Sequence, residues 1–408
     1  MAATADAAGS EVEAEVVQDL SNPDVVTKYR TAADIVNAAL KKVIRGCTPG
    51  ASVYSLCKLG DAHITEACSK VYNKKENGKK LEKGIAFPTC ISMNEVCGHF
   101  SPVDNSPESD RILNEGDVVK VDMGCHVDGY ICVVAYTVVC DPALADIFET
   151  SRTKDPSAIT GRKADVIKAS WTAAEACMRL IKPGHKSGDL TKTIELAAKQ
   201  YNCVPLQGVL SHQLKRYVIE GSKCFPGSTP SPGEDKPEEF EFEANEVYGL
   251  DIVFSTGEGK ARDAAIKPTV YKRAVDRTYI LKSQLGRHFM SEVQNKYPTL
   301  PFSSRGFSDE RACKVGVAEA MRHELLHPYP VMTEKAGEFV AQFKFTLLLL
   351  PTGTKKITGL PLVYEKELNS SHTVVDEHLK ALLATSVNPK KLKKKAQAEK
   401  KEDSGNDA

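Results

Sequence analysis

Two stretches of the chain are built alike, and that likeness limits the folds open to it. "DIVNAALKKVIRGCTPGASVYSLCKLGDAHITEACSKVY" has helical apolar spacing on either side of a Pro-Gly turn. "DVIKASWTAAEACMRLIKPGHKSGDLTKTIELAAKQY" has the same order. Each precedes an apolar strand, "GDVVKVDMG" after the first and "NEVYGLDIV" after the second. Pro49 lies 73 positions before Asp122, and Pro183 lies 68 before Asp251. That period is too long for a solenoid. It suggests a duplicated α/β unit whose pseudo-two-fold axis brings Asp122 and Asp251, each at a strand end, to equivalent places. A chance likeness of two short α/β units is the alternative that the repeat alone leaves open.

A third strand, "VAQFKFTLLLLP", carries one residue at odds with its surroundings. By the period-two rule Phe343, Phe345 and Leu347 share one face, and Gln342, Lys344 and Thr346 the other. An isolated buried ammonium is costly, so Lys344 must be solvated or paired.

Charge is balanced overall, with 54 basic and 54 acidic residues among 408, but it is unevenly placed. Residues 1–20 carry only acidic side chains and read as a disordered arm. From Asn388 to Lys401 there are seven lysines and one glutamate, so residues 388–408 read as a disordered lysine-rich tail. Residues 21–387 form the globular body, with a helical insertion at about 285–337. The twelve cysteines form no C-x-x-C pair and lie in apolar segments, as expected of reduced structural thiols in the cytosol or nucleus. "TLLLLP" is far shorter than the roughly 20 residues that cross a bilayer, so no membrane insertion is expected.

"HELLH", His323 to His327, has the spacing of a helical zinc-protease motif. Pro328 follows at once, which puts the second histidine where the helix is ending. No longer metal motif follows, so a helix C-terminus is the better reading. More dispersed are His99 in "VCGHFSP", Asp122, His212 in "GVLSHQL", Asp251 and Lys344. Each alone reads as a turn cap or a backbone-bonded histidine.

Taken together, "GDVVKVDMGCHVDGYICVVAYTV", "GVLSHQL", "GLDIVFSTGEG", "YPTLPFSSR" and "AQFKFTLLLLPTG" resemble the type II methionine aminopeptidases of peptidase family M24. The resemblance runs from about Val25 to Tyr364. It implies the α/β pita-bread (creatinase/aminopeptidase) fold, with internal duplication and a helical type II insertion. Active members hold two divalent metals with two aspartates eleven positions apart, a histidine and two glutamates, and use a further histidine on the substrate. Onto that pattern Asp122 matches the first aspartate, His212 the metal histidine and His99 the helper histidine. Val133 stands at the second aspartate, Asp251 replaces the first glutamate, and Lys344 replaces the second. Valine cannot ligate a cation, and an ammonium repels one. The resemblance therefore implies a degenerate pocket with no cofactor and no catalytic residue, in which Lys344 stands in for metal beside Asp122 and Asp251. An active metallo-aminopeptidase with atypical ligands is the competing reading.

"EKGIAFPTCIS", "TGRKADVIKA", "LSHQLKRYVIEG", "GEGKARDA" and "GEFVAQFKFT" narrow the resemblance to the proliferation-associated, ErbB-receptor-binding proteins, metal-free relatives of those enzymes. What that family implies is a monomeric, non-enzymatic growth regulator of cytoplasm, nucleus and nucleolus. It associates with the large ribosomal subunit near the exit tunnel and with structured RNA or rRNA, and acts in ribosome biogenesis and translation. Partners in growth signalling are also implied. The segment from Leu144 to Asp155 looks like an insertion relative to metazoan members. Two lysine clusters are candidates for phosphate contact: the tail, with Lys390, Lys391, Lys393, Lys394, Lys395, Lys400 and Lys401, and the stretch with Lys70, Lys74, Lys75, Lys79, Lys80 and Lys83. For the second, a solvated charged loop is a close rival.

Overall fold

The computed structural model describes residues 18–75, 78, 80–145, 157–230, 233 and 236–386. Most of the acidic arm, Lys79, nearly all of the 144–155 segment and the whole lysine tail lie outside the described residues.

Each half of the duplication begins with a helical hairpin. Helix α1 (Pro23–Gly46) starts at Asn22, whose side chain accepts from the Asp24 N–H, with Pro23 in its first turn. Gly50, at φ 82°, makes the turn into α2 (Val53–Ser69). The second half repeats this with α3 (Gly161–Leu180) and α4 (Gly188–Gln200), joined through Gly184 at φ 86°.

The strands are β1 (Lys83–Met93), β2 (Val118–Val127), β3 (Tyr130–Val139), β4 (Leu210–Leu214), β5 (Cys224–Pro226) and β6 (Val247–Ser255). After these come β7 (Val270–Arg273), helices α5 (Gln284–Lys296) and α6 (Glu310–Arg322), β8 (Leu326–Tyr329) and β9 (Val340–Leu350). The main sheet runs β1-β2-β3-β9-β6-β4-β5, with each neighbouring pair antiparallel. The duplication is visible in that order. Hairpin β2–β3 and pair β6–β9 meet at the centre, and β1 and β4 lie outside them. The tip of the first hairpin is Asp128-Gly129, both at positive φ, the backbone that a two-residue turn of matching twist requires. Lys28 of α1 at 2.8 Å and Arg216 at 2.6 Å bind the Asp128 carboxylate and hold the tip down.

One face of the sheet packs on the helices. Phe343 and Phe345 of β9 meet Trp171 of α3 edge-on, at centroid distances of 5.0 and 5.8 Å. Cys132 of β3 donates its S–H to the Tyr29 carbonyl of α1. Gln342, Lys344 and Thr346 occupy the opposite face, as their alternation requires.

Two expectations are corrected. Asp122 and Asp251 do not end their strands. Both sit mid-strand, because β2 continues to the Asp128-Gly129 turn and β6 to Ser255. Nor do His323 and His327 share a helix. Helix α6 stops at Arg322, Glu324 turns the chain at φ 54°, and His327 lies in β8 opposite Lys272. Pro328 explains this, since the residue before a proline is driven to extended backbone. Between β6 and β9, α5 and α6 pack with a small sheet of Phe302–Ser303, β7 and β8 around their own apolar cluster, including Phe289, Phe302 and Val317.

Candidate functional site

Five residues lie in register across the centre of the sheet: Cys90, Asp122, Ala135, Lys344 and Asp251, from β1, β2, β3, β9 and β6. Residues directly opposite in antiparallel strands project to the same face. The two aspartates therefore flank a central pair, Ala135 and Lys344. The Ala135 methyl leaves the space above the row to the lysine. The Lys344 Nζ lies 2.7 Å from Asp122 Oδ2 and 2.9 Å from Asp251 Oδ2. The question posed by the odd lysine is answered by geometry: one ammonium bridges two carboxylates that would otherwise repel each other.

Burial alone would lower the Lys344 pKa. The charges of Asp122 and Asp251 and the hydrogen bonds to them outweigh that and raise it above the ordinary lysine value. Burial raises the Asp122 pKa, and Asp251 adds to the rise while Lys344 opposes it. These two directions pull against each other within one pair. The short contacts to both carboxylates support the charged ammonium as the state of the site. Its charge also lies over the Phe87 ring, 5.6 Å from the centroid.

Gln342, on the same face two residues away, donates its amide to Asp251 Oδ1 at 2.9 Å. Its position on the Lys344 face was legible from the alternation, though its bond was not. Asp122 Oδ1 and His212 Nδ1 are buried and have no hydrogen-bond partner among the described residues. His99 holds a left-handed backbone, φ 63°, and its Nδ1 lies 3.1 Å from the Pro330 carbonyl. Its ring meets Tyr329 edge-on at 5.3 Å. Burial lowers the pKa of both His99 and His212, so both are neutral at pH 7. Val133 follows the same face as Ala135, two positions away.

All six positions singled out in the sequence, His99, Asp122, Val133, His212, Asp251 and Lys344, line one cavity of about 360 Å³. Tyr329 and Glu220 also line it, and the Tyr329 hydroxyl donates to Glu220 at 2.7 Å. Neither carried a sequence signal, since both reach the cavity from loops and a short strand far along the chain. The residues present do not suit a divalent pair. Among the described residues no group of three or more His, Cys, Asp or Glu is placed to hold a metal ion. The position between the two carboxylates is filled by a cation covalently attached to the chain.

The described lysines of the 70–83 cluster divide. Lys74, Lys75 and Lys80 are exposed, and Lys70 is exposed but paired with Glu66 at 2.6 Å. Lys83 differs from the expectation of a phosphate contact. It donates to the Val71 and Tyr72 carbonyls and to Asn73 Oδ1, which uses all three of its donors.

At the hairpin end of β2, away from the cavity, burial depresses the His126 pKa from 6.5 to about 4. A histidine whose folded pKa lies below its unfolded value stabilises the fold above the unfolded value. That contribution is lost as pH falls from about 6.5 toward about 4, because the unfolded chain takes up the proton first. At about 1.4 kcal/mol per pKa unit, that shift from 6.5 to about 4 gives His126 an expected share of about 3 to 4 kcal/mol in acid destabilisation. Urea midpoints at pH 7 and pH 4.5 should differ less in His126→Gln than in the parent. An equal loss in both would remove His126 as the cause.

The metallopeptidase family M24 matches residues 27–229. The ErbB-3 binding protein 1 of Solanum tuberosum is 45% identical over 385 residues, 94% of this chain and 92% of that protein. Proliferation-associated protein A of Dictyostelium discoideum is 43% identical over 93% and 92%. Among solved structures, a thermophilic Arx1 superposes with a TM-score of 0.81 at 29% identity, covering 90% of this chain and 99% of that one. On that identity and coverage, the chain belongs to the family of ErbB-3-binding, proliferation-associated proteins, built on the pita-bread fold of the M24 metallopeptidases.

Proposed function

We propose that the chain is a monomeric, non-enzymatic factor associated with the ribosome and with structured RNA, acting in ribosome biogenesis, translation and growth control. Its aminopeptidase fold serves as a scaffold. One observation carries the loss of catalysis: the Lys344 ammonium bonded to both Asp122 and Asp251. A divalent ion in that place would have to displace it, and Val133 offers no ligand to compensate. The RNA part of the reading rests on the family resemblance and on the two lysine clusters. Cytoplasm, nucleus and nucleolus are the compartments this role requires.

The competing reading, a working metallo-aminopeptidase, draws on Asp122 and His212, which match two of the resemblance's metal ligands, and on Asp251, a shorter carboxylate in a glutamate's place. Metal analysis of the purified protein with a Met-peptide cleavage assay separates the two. Stoichiometric cobalt or manganese with methionine release would overturn the scaffold reading. Absence of both, with co-sedimentation on large ribosomal subunits, is the expected result.

Binding carried by lysines is expected to weaken steeply with salt. Each phosphate contact adds about 0.9 to the slope of log K against log salt for duplex, and about 0.7 for single strands. Removing residues 388–408, with their seven lysines, should lower both the affinity for ribosomal RNA and that slope. An unchanged slope would transfer the contact to the folded body.

A further inference from the structure

We propose that Cys68 and Cys125 form a dithiol that a hydroperoxide closes into a disulfide, a modification site on the helix-covered face of the sheet. Cys68 lies in the last turn of α2 and Cys125 on β2, and their Sγ atoms are 3.6 Å apart. A disulfide needs about 2.0 Å, so the sulfurs must close by about 1.6 Å. The end of a helix is where such a shift is easiest, because the last turn lacks a full set of backbone bonds.

The two thiols are not equivalent. The Cys125 hydrogen bond favours the Cys68 thiolate, and the Lys83 charge adds to this, against burial. Lys83 is held at that place by the Val71 and Tyr72 carbonyls and Asn73. Burial, reinforced by Cys68, keeps the Cys125 thiol protonated. Both thiols are buried, but Cys68 at the helix end keeps 3% exposure and Cys125 none, so a peroxide admitted by fraying of that last turn meets Cys68 first, with Cys125 as the resolving sulfur. A third thiol, Cys132, stands opposite Cys125 across β2 and β3, but it donates its S–H to the Tyr29 carbonyl at 3.2 Å.

The step balances in two stages. The Cys68 thiolate attacks the peroxide. An S–O bond forms, the O–O bond breaks, and the departing oxygen takes a proton and leaves as alcohol or, from hydrogen peroxide, water. The Cys125 sulfur then attacks the sulfenic sulfur. The S–S bond forms, the S–O bond breaks, and hydroxide leaves as water with the Cys125 proton. Two thiols are oxidised and one hydroperoxide is reduced.

The bridge would join residues 57 positions apart and fasten the end of α2 to the sheet. The loop bearing Lys70, Lys74, Lys75 and Lys80 begins at that end. Because a cross-link removes freedom from the unfolded chain, the oxidised protein should melt higher than the reduced one.

The test treats the full chain with hydrogen peroxide, blocks remaining thiols under denaturing conditions and maps non-reduced peptides. The expected product is a Cys68–Cys125 linked peptide, lost on treatment with dithiothreitol, with a raised melting temperature. Cys68→Ser and Cys125→Ala should abolish both effects, and Cys132→Ser should leave both. The mapping of the parent protein stands even if a variant fails to fold. No linked peptide, a Cys125–Cys132 bridge, or Cys68 driven to sulfinic acid while Cys125 stays reduced would each overturn the proposal.

Discussion

Lys344→Ala is expected to destabilise the fold by about 3 kcal/mol, the lower end of the range for removing one partner from a buried ion pair. The estimate rests on what is left behind. Asp122 and Asp251 would face each other across the Ala135 row without a cation, and Asp122 is only 6% exposed. Lys344→Met should be destabilising too, since it keeps the chain volume and removes the charge. Lys344→Met combined with Asp122→Asn and Asp251→Asn should recover most of the loss, because no charge is then stranded. Urea unfolding of the three proteins checks this, and an Ala variant as stable as the parent would end the idea that the lysine neutralises the pair. The pH dependence has a definite sign. The folded pKa of Lys344 lies above its ordinary 10.5. Its contribution is therefore fully present below pH 10.5 and fades as pH rises through the folded value.

Much of this site was legible in the sequence because its determinants are local. The alternation of "VAQFKFT" put Lys344 and Gln342 on one face, and the two helical hairpins with their following strands set Asp122 and Asp251 at matching places. What escaped reading depends on partners remote in sequence. Ala135 became part of the site only through its register with both Asp122 and Lys344. Tyr329 reaches the cavity from a four-residue strand rich in His and Pro, which no periodicity reveals. "HELLH" failed in the opposite way. A four-residue spacing implies proximity only on a helix, and the backbone had already left the helix at His323. The Cys68–Cys125 approach joins a helix end to a strand, a contact that spacing alone never encodes.

The variant carrying Val133→Asp and Lys344→Glu together should become a protein whose stability depends on divalent metal. Without metal it places carboxylates at four positions around one small cavity, and their mutual repulsion should leave it less stable than the parent. With manganese or cobalt the same carboxylates turn into ligands. His212 is already suited to join them, since burial keeps its imidazole unprotonated, the form that binds a metal. Metal at about a hundredfold above its dissociation constant would return about 2.7 kcal/mol. The parent should show no such gain, because its ammonium sits between Asp122 and Asp251 at 2.7 and 2.9 Å. Asp251 is a shorter carboxylate than the glutamate that the resemblance to active aminopeptidases implies at its place, so adding Asp251→Glu should strengthen the metal response further. Melting curves with and without metal decide the matter. A metal-induced rise of equal size in the parent, or none in either variant, would show that the lysine does not occupy the cation's place. Peptidase activity is a stricter demand than metal binding, because the reacting groups must then be aligned to within about an ångström. A variant that binds metal and stays inactive would place the further losses outside the ligand set, in how the cavity around His99 and Tyr329 receives a substrate.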